Sequence, residues 1–356
     1  MLADLPRVTV CVPVRNGSRT IRRTLDSILA QDYPNIEVIV SDNCSTDATA
    51  QIVQDYAERG VKYYLNPKLE ASGESNWNNG LALAQGPLIA LYHADDIYTP
   101  TMVRRQVAFL QAHPTASAVF TMMQYIDEQD RPTRMGRSRL PGELAGRELF
   151  PWPDFFNAVL KYGTFTPVPT MMTRREVIDA VGGFNWQQCR SASDIDLYLR
   201  MARQWGAIGL IREPLHWYRV SAQQGTALLA RNRVELADFF RALDLHLNDP
   251  NERQWAEPQA LAFCEVQRAI DHVLCAINLL AQGKVIEARV RLQKALHWRH
   301  FATALTRPWL FSNLAVGLLL LISTYVGLGT FTGQQASRAY ARRNARRQEP
   351  LKRGSP

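Results

Sequence analysis

Residues 7–47 read RVTVCVPVRNGSRTIRRTLDSILAQDYPNIEVIVSDNCSTD. The β-branched run Arg7–Val14 predicts a strand, Ser18–Gln31 has apolar residues at helical spacing, and Ile36–Val40 predicts a second strand. The alternation continues as helix, strand, helix and strand at Ala48–Arg59, Val61–Leu65, Asn78–Ala84 and Leu88–Tyr92. This order predicts an α/β fold with a parallel sheet, helices on both faces and ligands at the carboxyl ends of the strands.

The composition limits the class of protein. The 356 residues are 46% hydrophobic, as in an ordinary globular chain, and carry a formal net charge of +8. The five cysteines are scattered without a CxxC pair, which disfavours a disulfide framework and a thiolate zinc site and indicates a reducing compartment. No signal peptide precedes the first strand, so we expect the body to fold in the cytoplasm.

An apolar segment and a basic tail follow the body. Trp309–Phe331 is 23 residues without a charge, about 34 Å of helix, which is enough for a bilayer core of about 30 Å. Residues 334–356 carry seven basic side chains and one acidic one. Together they predict contact with an anionic membrane surface. The alternative is a buried core helix followed by a solvated tail. The body has no basic face with interleaved aromatics, so we expect no nucleic-acid partner.

The charges around the apolar segment bear on its orientation. Basic residues flank both ends, and a spanning helix with the tail inside would place the body outside the cell. A re-entrant or interfacial segment keeps body and tail on one side. We therefore expect the protein to be anchored or peripheral at the cytoplasmic side of the inner membrane, through residues 308–356.

Polar groups follow the first two predicted strands. Pro13 and Asn16 lie in a turn whose backbone N–H groups suit a base or ribose, although a plain turn is the simpler interpretation. Asp42 and Asn43 come directly after the second strand, where a carboxylate accepts from a base N–H or a ribose hydroxyl. The polar residues after them more simply cap the next helix.

Carboxylates mark two further positions. His93-Ala94-Asp95-Asp96 follows an apolar strand, and Mg²⁺ and Mn²⁺ prefer carboxylate oxygens while keeping sites open for phosphate. Asp95 is therefore predicted to bind a metal, and Asp96 either to bind it or to cap the next helix. Asp194 begins a predicted helix, where a lone aspartate is more often a cap than a catalyst.

In their order and spacing, these clusters resemble the inverting glycosyltransferases of family 2, which have a GT-A fold. The resemblance rests on VCVPVRNG, VSDNCSTD and NWNNGLALAQGPLIALYHADDIYTP, and then on PTMMTRREVIDAVGGFN, SASDIDLYLRMARQWG and PLHWYRV. It covers roughly Val8 to Val220 and implies a Rossmann-like mixed sheet. We predict a GT-A domain at 1–225, a helical extension at 226–307, an apolar membrane-associated segment at 308–333 and a basic, disordered tail at 334–356.

The resemblance also implies roles for single residues. Asp95 and Asp96, in the segment that corresponds to the family's DxD motif, would hold the Mn²⁺ or Mg²⁺ ion that bridges the diphosphate. Asp194 would be the general base, and Gly182 and Gly183 would let the backbone approach the acceptor. Contacts to the nucleotide sugar are implied for Pro13, Asn16, Asp42, Asn43, Asn78, His93, Asp95 and Arg219.

Two positions depart from the family pattern. His93 replaces the first aspartate of DxD, and Ser193 replaces the glutamate before the catalytic aspartate. The expected function is transfer of a sugar from a nucleoside-diphosphate donor to a hydroxyl of a glycan or lipid-linked acceptor, in cell-surface glycan or lipid-linked saccharide synthesis. The alternative, which the two departures favour, is a catalytically inactive nucleotide-sugar-binding scaffold at the membrane.

Overall fold

The apolar runs form the strands of one mixed sheet in the computed structural model, which describes residues 5–69, 72–221 and 233–351. Among those residues the strands are β1 (Val8–Val14), β2 (Ile36–Asp42), β3 (Val61–Leu65), β4 (Leu88–Leu91), β5 (Ile97–Tyr98), β6 (Ala116–Ile126), β7 (Pro132–Arg137), β8 (Leu149–Phe150), β9 (Met171–Arg174) and β10 (Ala207–Arg219). Their order is β3-β2-β1-β4-β9-β6-β10-β5, with β7 beside β6 and β8 beside β10.

The strand directions create a crevice beside β1. β1 pairs in parallel with both β2 and β4, and β2 pairs in parallel with β3. The chain therefore moves outward from β1 to β3 and returns to β4 on the other side of β1, a reversal at which open α/β sheets bind ligands. β9 runs antiparallel to β4 and β6, so the sheet is mixed rather than wholly parallel as the alternation alone predicts.

Helices cover the sheet, and its central strands are buried on both faces. The helices up to residue 204 are α1 (Ile21–Leu29), α2 (Thr49–Gln54), α3 (Gly73–Leu83), α4 (Met102–Ala112), α5 (Asp154–Tyr162), α6 (Arg175–Val181), α7 (Trp186–Cys189) and α8 (Ser193–Gln204). Val10, Val12, Val40 and Ala90 have no exposed surface. Burial on both faces is why these strands are nearly continuous apolar runs in the sequence.

Helix α3 begins earlier than the predicted start at Asn78. The Ser72 side chain accepts a hydrogen bond from the Ser75 N–H at 3.1 Å and so caps the helix that begins at Gly73. Further along, a Cβ on Gly80 would lie 3.2 Å from the Cys11 Cβ of β1. A glycine at this position therefore lets α3 pack closely on β1.

The chain divides into two compact units. The first contains residues up to Phe156 together with Thr164–Arg219, and the second contains Asn157–Gly163 and the chain from Val220 onward. The second unit is helical, with α9 (Asp238–Asn248), α10 (Pro250–Arg253), α11 (Pro258–Ala281), α12 (Val285–Ala295), α13 (Trp298–Ala304), α14 (Pro308–Tyr325) and α15 (Gly329–Gln348). The structure thus groups the predicted helical extension and the apolar segment in one unit.

The predicted apolar segment and basic tail form two packed helices. A Cβ on Gly317 of α14 would lie 2.7 Å from Val273 of α11, and one on Gly333 of α15 would lie 2.2 Å from Leu280. These glycines bring both helices close to α11. The disorder predicted from residue 334 is therefore wrong as far as Gln348, because α15 is rich in helix-forming alanine, glutamine and arginine and is anchored at its start. Residues 352–356 lie outside the described part.

Candidate active site

The turns after β1 and β2 are bound to each other. Asn16 adopts a positive φ of 53°, and its side-chain oxygen accepts a hydrogen bond from the Thr46 N–H at 2.8 Å. The Asn16 N–H donates to the Ser45 hydroxyl at 2.8 Å. Pro13 is buried near the end of β1. Both predicted nucleotide residues thus lie at or just after the carboxyl end of β1, and their contacts with a nucleotide stay predictions.

Asp42 shapes the same turn from the end of β2. Its side chain is fully buried; one oxygen accepts from the Ser45 N–H and the other from the Tyr63 hydroxyl, each at 2.8 Å. Asn43 is also buried, and its N–H donates to the Val14 carbonyl at 2.8 Å. Asp42 therefore holds the turn in place, and its predicted contact with a base stays a prediction.

Asp96 joins the HADD loop to the end of β10. The carboxylate is fully buried, with one oxygen 2.8 Å from His216 Nε2 and the other accepting from the Arg219 N–H at 2.8 Å. Burial raises the pKa of Asp96 well above its usual range and lowers the pKa of His216 to about 3. Asp96 does not cap the next helix as predicted, because α4 begins at Met102 with Thr101 at its N-cap. Its predicted contact with a metal stays a prediction, and both of its oxygens already have partners inside the protein.

Arg219 supports the loop from the same strand. Its Nε donates to the Asp95 carbonyl at 2.7 Å, and its Nη1 donates to the Asp127 carbonyl at 2.9 Å and pairs with Asp130 at 2.5 Å. The residue is 3% exposed. The guanidinium therefore fixes the loop that carries Asp95, and the predicted phosphate contact stays a prediction.

An aromatic stack lies behind the same loop. The Tyr98 ring stacks on Tyr92 with 3.9 Å between centroids and on His216 with 5.3 Å. Its hydroxyl oxygen accepts from the His93 N–H at 2.7 Å and donates to the His93 carbonyl at 3.2 Å. The backbone of His93 is consequently held on a rigid base.

His93 and Asp95 fit a divalent cation. Ligand atoms of His93, Asp95 and Asp96 all lie within 4.8 Å of one another. Over residues 5–69, 72–221 and 233–351, no hydrogen-bond partner lies near the buried Nε2 of His93. Burial lowers the pKa of His93, which favours the neutral imidazole that metals bind. One imidazole nitrogen and one carboxylate therefore form an incomplete ligand set that phosphate oxygens and water could complete.

Helix α3 contacts both His93 of the HADD loop and Phe184, which follows Gly182 and Gly183. The Trp77 ring stacks on His93 with 5.6 Å between centroids and meets Phe184 edge-on at 5.0 Å. The Asn78 amide accepts from the Phe184 N–H at 2.8 Å and donates to the Phe184 carbonyl at 2.9 Å. Asn78, which is predicted to contact the nucleotide sugar, thus binds the Phe184 backbone and through it the loop that contains Gly182 and Gly183.

The loop around Gly182 and Gly183, which is predicted to approach the acceptor, is held by Asn78 and by Arg200. Gly182 has a φ of +81°, and a Cβ on Gly183 would lie 2.3 Å from the Asn78 Oδ1. Arg200 donates to the carbonyls of Val181 and Gly183, the latter at 2.7 Å, and is itself held by Asp196 at 2.9 Å. Both glycines are needed for this loop conformation, and their contact with an acceptor stays a prediction.

Asp194 lies in the first turn of α8 and keeps partial solvent exposure. Its Oδ1 accepts from the Ile195 N–H at 2.9 Å. Burial raises the pKa of the carboxyl from 3.8 to about 7, and the charge of Glu74 on α3 adds to the rise. Helix α3 therefore acts on two site residues: the charge of Glu74 acts on Asp194, and the Trp77 ring stacks on His93.

Sequence reasoning missed several supporting residues. Glu74 and Trp77 share one face of α3 with the predicted residue Asn78, but a helix predicted to start at Asn78 leaves both of them outside it. His216 and Tyr98 lie on short or irregular strands, and no local signal pairs them with the HADD loop. Their roles depend on β5 lying antiparallel beside β10.

The chain is similar in sequence to known glycosyltransferases. The sequence pattern of Glycosyl transferase family 2 matches residues 9–182. The uncharacterized glycosyltransferase RP339 of Rickettsia prowazekii is 33% identical over 238 residues, which are 66% of this chain and 70% of the relative. The chain belongs to glycosyltransferase family 2. It covers 66% and 65% of two further curated relatives, from Bacillus subtilis and Nostoc, and 30% of the GalNAc(5)-diNAcBac-PP-undecaprenol beta-1,3-glucosyltransferase of Campylobacter jejuni.

Solved structures show the same fold. S. aureus TarS 1-349 in complex with UDP-GlcNAc superposes with a TM-score of 0.59 at 18% identity, covering 94% of this chain and 92% of that one. The mannosyltransferase PcManGT from Pyrobaculum calidifontis, in complex with GDP-Man and Mn²⁺, gives a TM-score of 0.55 at 21% identity, covering 97% and 88%. The predicted GT-A fold of this family 2 glycosyltransferase is confirmed.

Proposed function

We propose that this family 2 glycosyltransferase transfers a sugar, with inversion, from a nucleoside-diphosphate donor to a hydroxyl acceptor. The observation that carries the proposal is the position of Asp194. Asp194 lies in the first turn of α8, where the charge of Glu74 on α3 acts on it. On the same helix α3, Trp77 stacks on His93, whose ligand atom lies within 4.8 Å of that of Asp95. A base and a diphosphate site bordering one helix are what a single displacement needs.

The chemistry follows from the protonation state of Asp194. An acceptor hydroxyl is a weak nucleophile near pH 7, and a carboxylate within hydrogen-bond reach takes its proton as it attacks C1. A carboxyl whose pKa is about 7 is a stronger base than an ordinary aspartate and is still largely ionised just above neutral pH. Attack from the face opposite the diphosphate inverts the anomeric centre in one step.

A dication at His93 and Asp95 would stabilise the charge that develops on the leaving diphosphate. The protein contributes the geometry. Tyr98 and Arg219 fix the backbone of His93 and Asp95, Trp77 covers the imidazole, and Asn78 holds the loop around Gly183. UDP, UDP-GlcNAc and GDP-Man in the solved structures of similar fold support a nucleoside-diphosphate sugar as the donor class.

The test measures donor binding and turnover separately. The full-length protein is titrated calorimetrically with UDP- and GDP-sugars, with and without Mn²⁺, and the anomer first released by donor hydrolysis is then read by proton NMR. We expect metal-dependent binding of one nucleotide and release of the anomer opposite to that of the donor. Binding without any turnover, even with membrane lipid as the acceptor source, would favour the inactive scaffold. Release of the retained anomer would refute the single displacement.

We further propose that the second unit holds the enzyme on the cytoplasmic surface of an anionic membrane. α14 packs Leu310, Leu314, Gly317 and Leu320 into the unit, and its opposite face is exposed. That face carries no charge and includes Trp309, Phe311, Leu318, Leu319 and Ile322. Helix α14 is long and apolar enough to cross a bilayer, but one third of it is buried in the unit. A helix packed along one side suits the membrane interface better than a lone span.

The adjacent helix supplies the matching charge. α15 contains five exposed arginines and no acidic residue, at Arg338, Arg342, Arg343, Arg346 and Arg347. Each basic residue near an anionic surface contributes about 1 kcal/mol of binding. The uncharged face of α14 would enter the headgroup region while α15 meets lipid phosphates. A membrane-bound acceptor is consistent with the PP-undecaprenol in the name of the Campylobacter relative.

Co-sedimentation with vesicles tests this surface. We expect the full-length protein to bind phosphatidylglycerol vesicles much more tightly than it binds phosphatidylcholine vesicles. Changing Arg342, Arg343, Arg346 and Arg347 together to Glu should weaken binding at least about 100-fold, whereas the same four changed to Lys should retain it. Equal binding by the Glu and Lys variants would contradict the charge contribution. Donor hydrolysis should be the same in both variants, because these residues lie outside the first unit.

A further inference from the structure

We propose that His93 is a metal ligand and that it makes this site prefer transition-metal dications such as Mn²⁺ or Co²⁺ over Mg²⁺. The inference rests on the metal-dependent transfer proposed above, and it concerns a position at which this chain departs from its family. An imidazole there is a different ligand from a carboxylate, with different metal preferences.

The position of the imidazole supports coordination. A ligand atom of His93 lies within 4.8 Å of ligand atoms of Asp95 and Asp96. The Nε2 atom is buried and has no hydrogen-bond partner among residues 5–69, 72–221 and 233–351. A buried polar atom without a partner costs about 1–3 kcal/mol, so its persistence next to a carboxylate points to a ligand that the protein alone does not supply.

The ring is also preorganised. Trp77 stacks on it at 5.6 Å between centroids, and Tyr98 holds the His93 N–H and carbonyl at 2.7 and 3.2 Å. A histidine that reached for a mobile substrate hydroxyl would need less restraint than one that serves in a metal site, where fixed ligand orientation raises affinity.

Asp96 is less suited to be the second ligand. Its two oxygens lie 2.8 Å from His216 Nε2 and from the Arg219 nitrogen, and the side chain is fully buried. The protein ligands are then His93 and Asp95, one nitrogen and one oxygen. Mg²⁺ prefers an all-oxygen shell, whereas imidazole suits the later divalent metals, and affinity for such mixed sites rises from Mn²⁺ to Co²⁺.

Pulsed EPR gives a readout that does not depend on sugar transfer. The full-length protein is loaded with Mn²⁺ in the presence of UDP and, separately, of GDP. We expect modulation of the echo by a directly bound ¹⁴N nucleus, changing to the ¹⁵N pattern when the protein is labelled with [¹⁵N]histidine. The wild-type signal alone decides whether nitrogen is bound, so a poorly folding variant does not prevent the test.

Calorimetry then tests selectivity. His93→Asp should lose the nitrogen modulation and shift the ratio of Mn²⁺ to Mg²⁺ affinity toward Mg²⁺ by about tenfold or more, since even a supporting residue of a metal site changes affinity by 10–100-fold. His113→Asp, at the end of α4 beside Phe109, is the matched control and should change neither quantity.

The outcomes separate this inference from the proposed function. Mn²⁺ bound with a nucleotide but without nitrogen modulation, or an unchanged affinity ratio in His93→Asp, overturns the role of His93 alone. No Mn²⁺ binding with either nucleotide overturns both this inference and the metal-dependent part of the proposed function.

Discussion

Replacing Asp194 by Asn should greatly slow transfer and at the same time stabilise the protein. Burial raises the pKa of this carboxyl from 3.8 to about 7, so the ionised form is disfavoured in the folded state. The full pKa difference corresponds to about 4 kcal/mol. Because Asp194 keeps partial solvent exposure, we expect about 2 kcal/mol at pH 8. Asparagine is neutral, nearly isosteric and able to accept from the Ile195 N–H as the carboxylate does.

The sign of this effect depends on pH. Below pH 3.8 the carboxyl is protonated in the folded and unfolded states, and the substitution gains nothing. As pH rises from 3.8 to about 7, only the unfolded state ionises readily, so the wild type progressively loses stability relative to Asp194→Asn. Thermal unfolding at pH 8 should therefore show a melting temperature raised by about 4–8 °C, with a smaller gain at pH 5.

A control on the same helix separates this effect from a general effect of charge removal. Asp196→Asn removes a buried partner of Arg200, which holds the Val181 and Gly183 carbonyls, so it should lower the melting temperature. Transfer should fall by a factor of about 10²–10⁴ in Asp194→Asn, while the affinity for the donor nucleotide stays within about twofold. A melting temperature that falls at pH 8, together with lost nucleotide binding, would show that Asp194 is a structural cap and refute the reasoning.

Two further predictions concern the surroundings of Asp194. The rate of transfer should increase with pH up to an inflection near the Asp194 pKa of about 7. Glu74→Gln should move that inflection to lower pH, because it removes a negative charge that acts on Asp194; Tyr198 is the other ionisable group that faces Asp194. A pH–rate profile that is the same in Glu74→Gln and in the wild type would contradict the assignment. Gly183→Ala should displace the Asn78 amide, lower the free energy of unfolding by about 1–3 kcal/mol and raise the acceptor KM. A Cβ on Gly73 would meet no atom of the described residues within 4 Å. Gly73→Ala should therefore leave both quantities nearly unchanged, and equal effects at the two glycines would refute the contact.

Local sequence patterns predict a large part of this protein. β-branched runs and helical spacing predict β1, β2 and the helices beside them, because each element buries a continuous apolar surface that its own residues supply. The HADD segment and the charge-free run from Trp309 are also visible in the chain alone. The start of α3 was not predicted correctly, since its cap is Ser72 and its first turn lacks an apolar pattern.

What the sequence by itself determined is the order of the elements, the family and the position of each polar cluster at a strand end. Tertiary structure alone decided what those polar groups do. Asp96 is 120 residues from His216 along the chain and Asn78 is 106 from Phe184, yet each pair is hydrogen-bonded. The physical reason is that hydrogen bonding and desolvation depend on neighbours in space. An aspartate at position 96 is fully buried and serves as a structural hydrogen-bond partner. An aspartate at position 194 is a partly exposed carboxyl with a pKa of about 7.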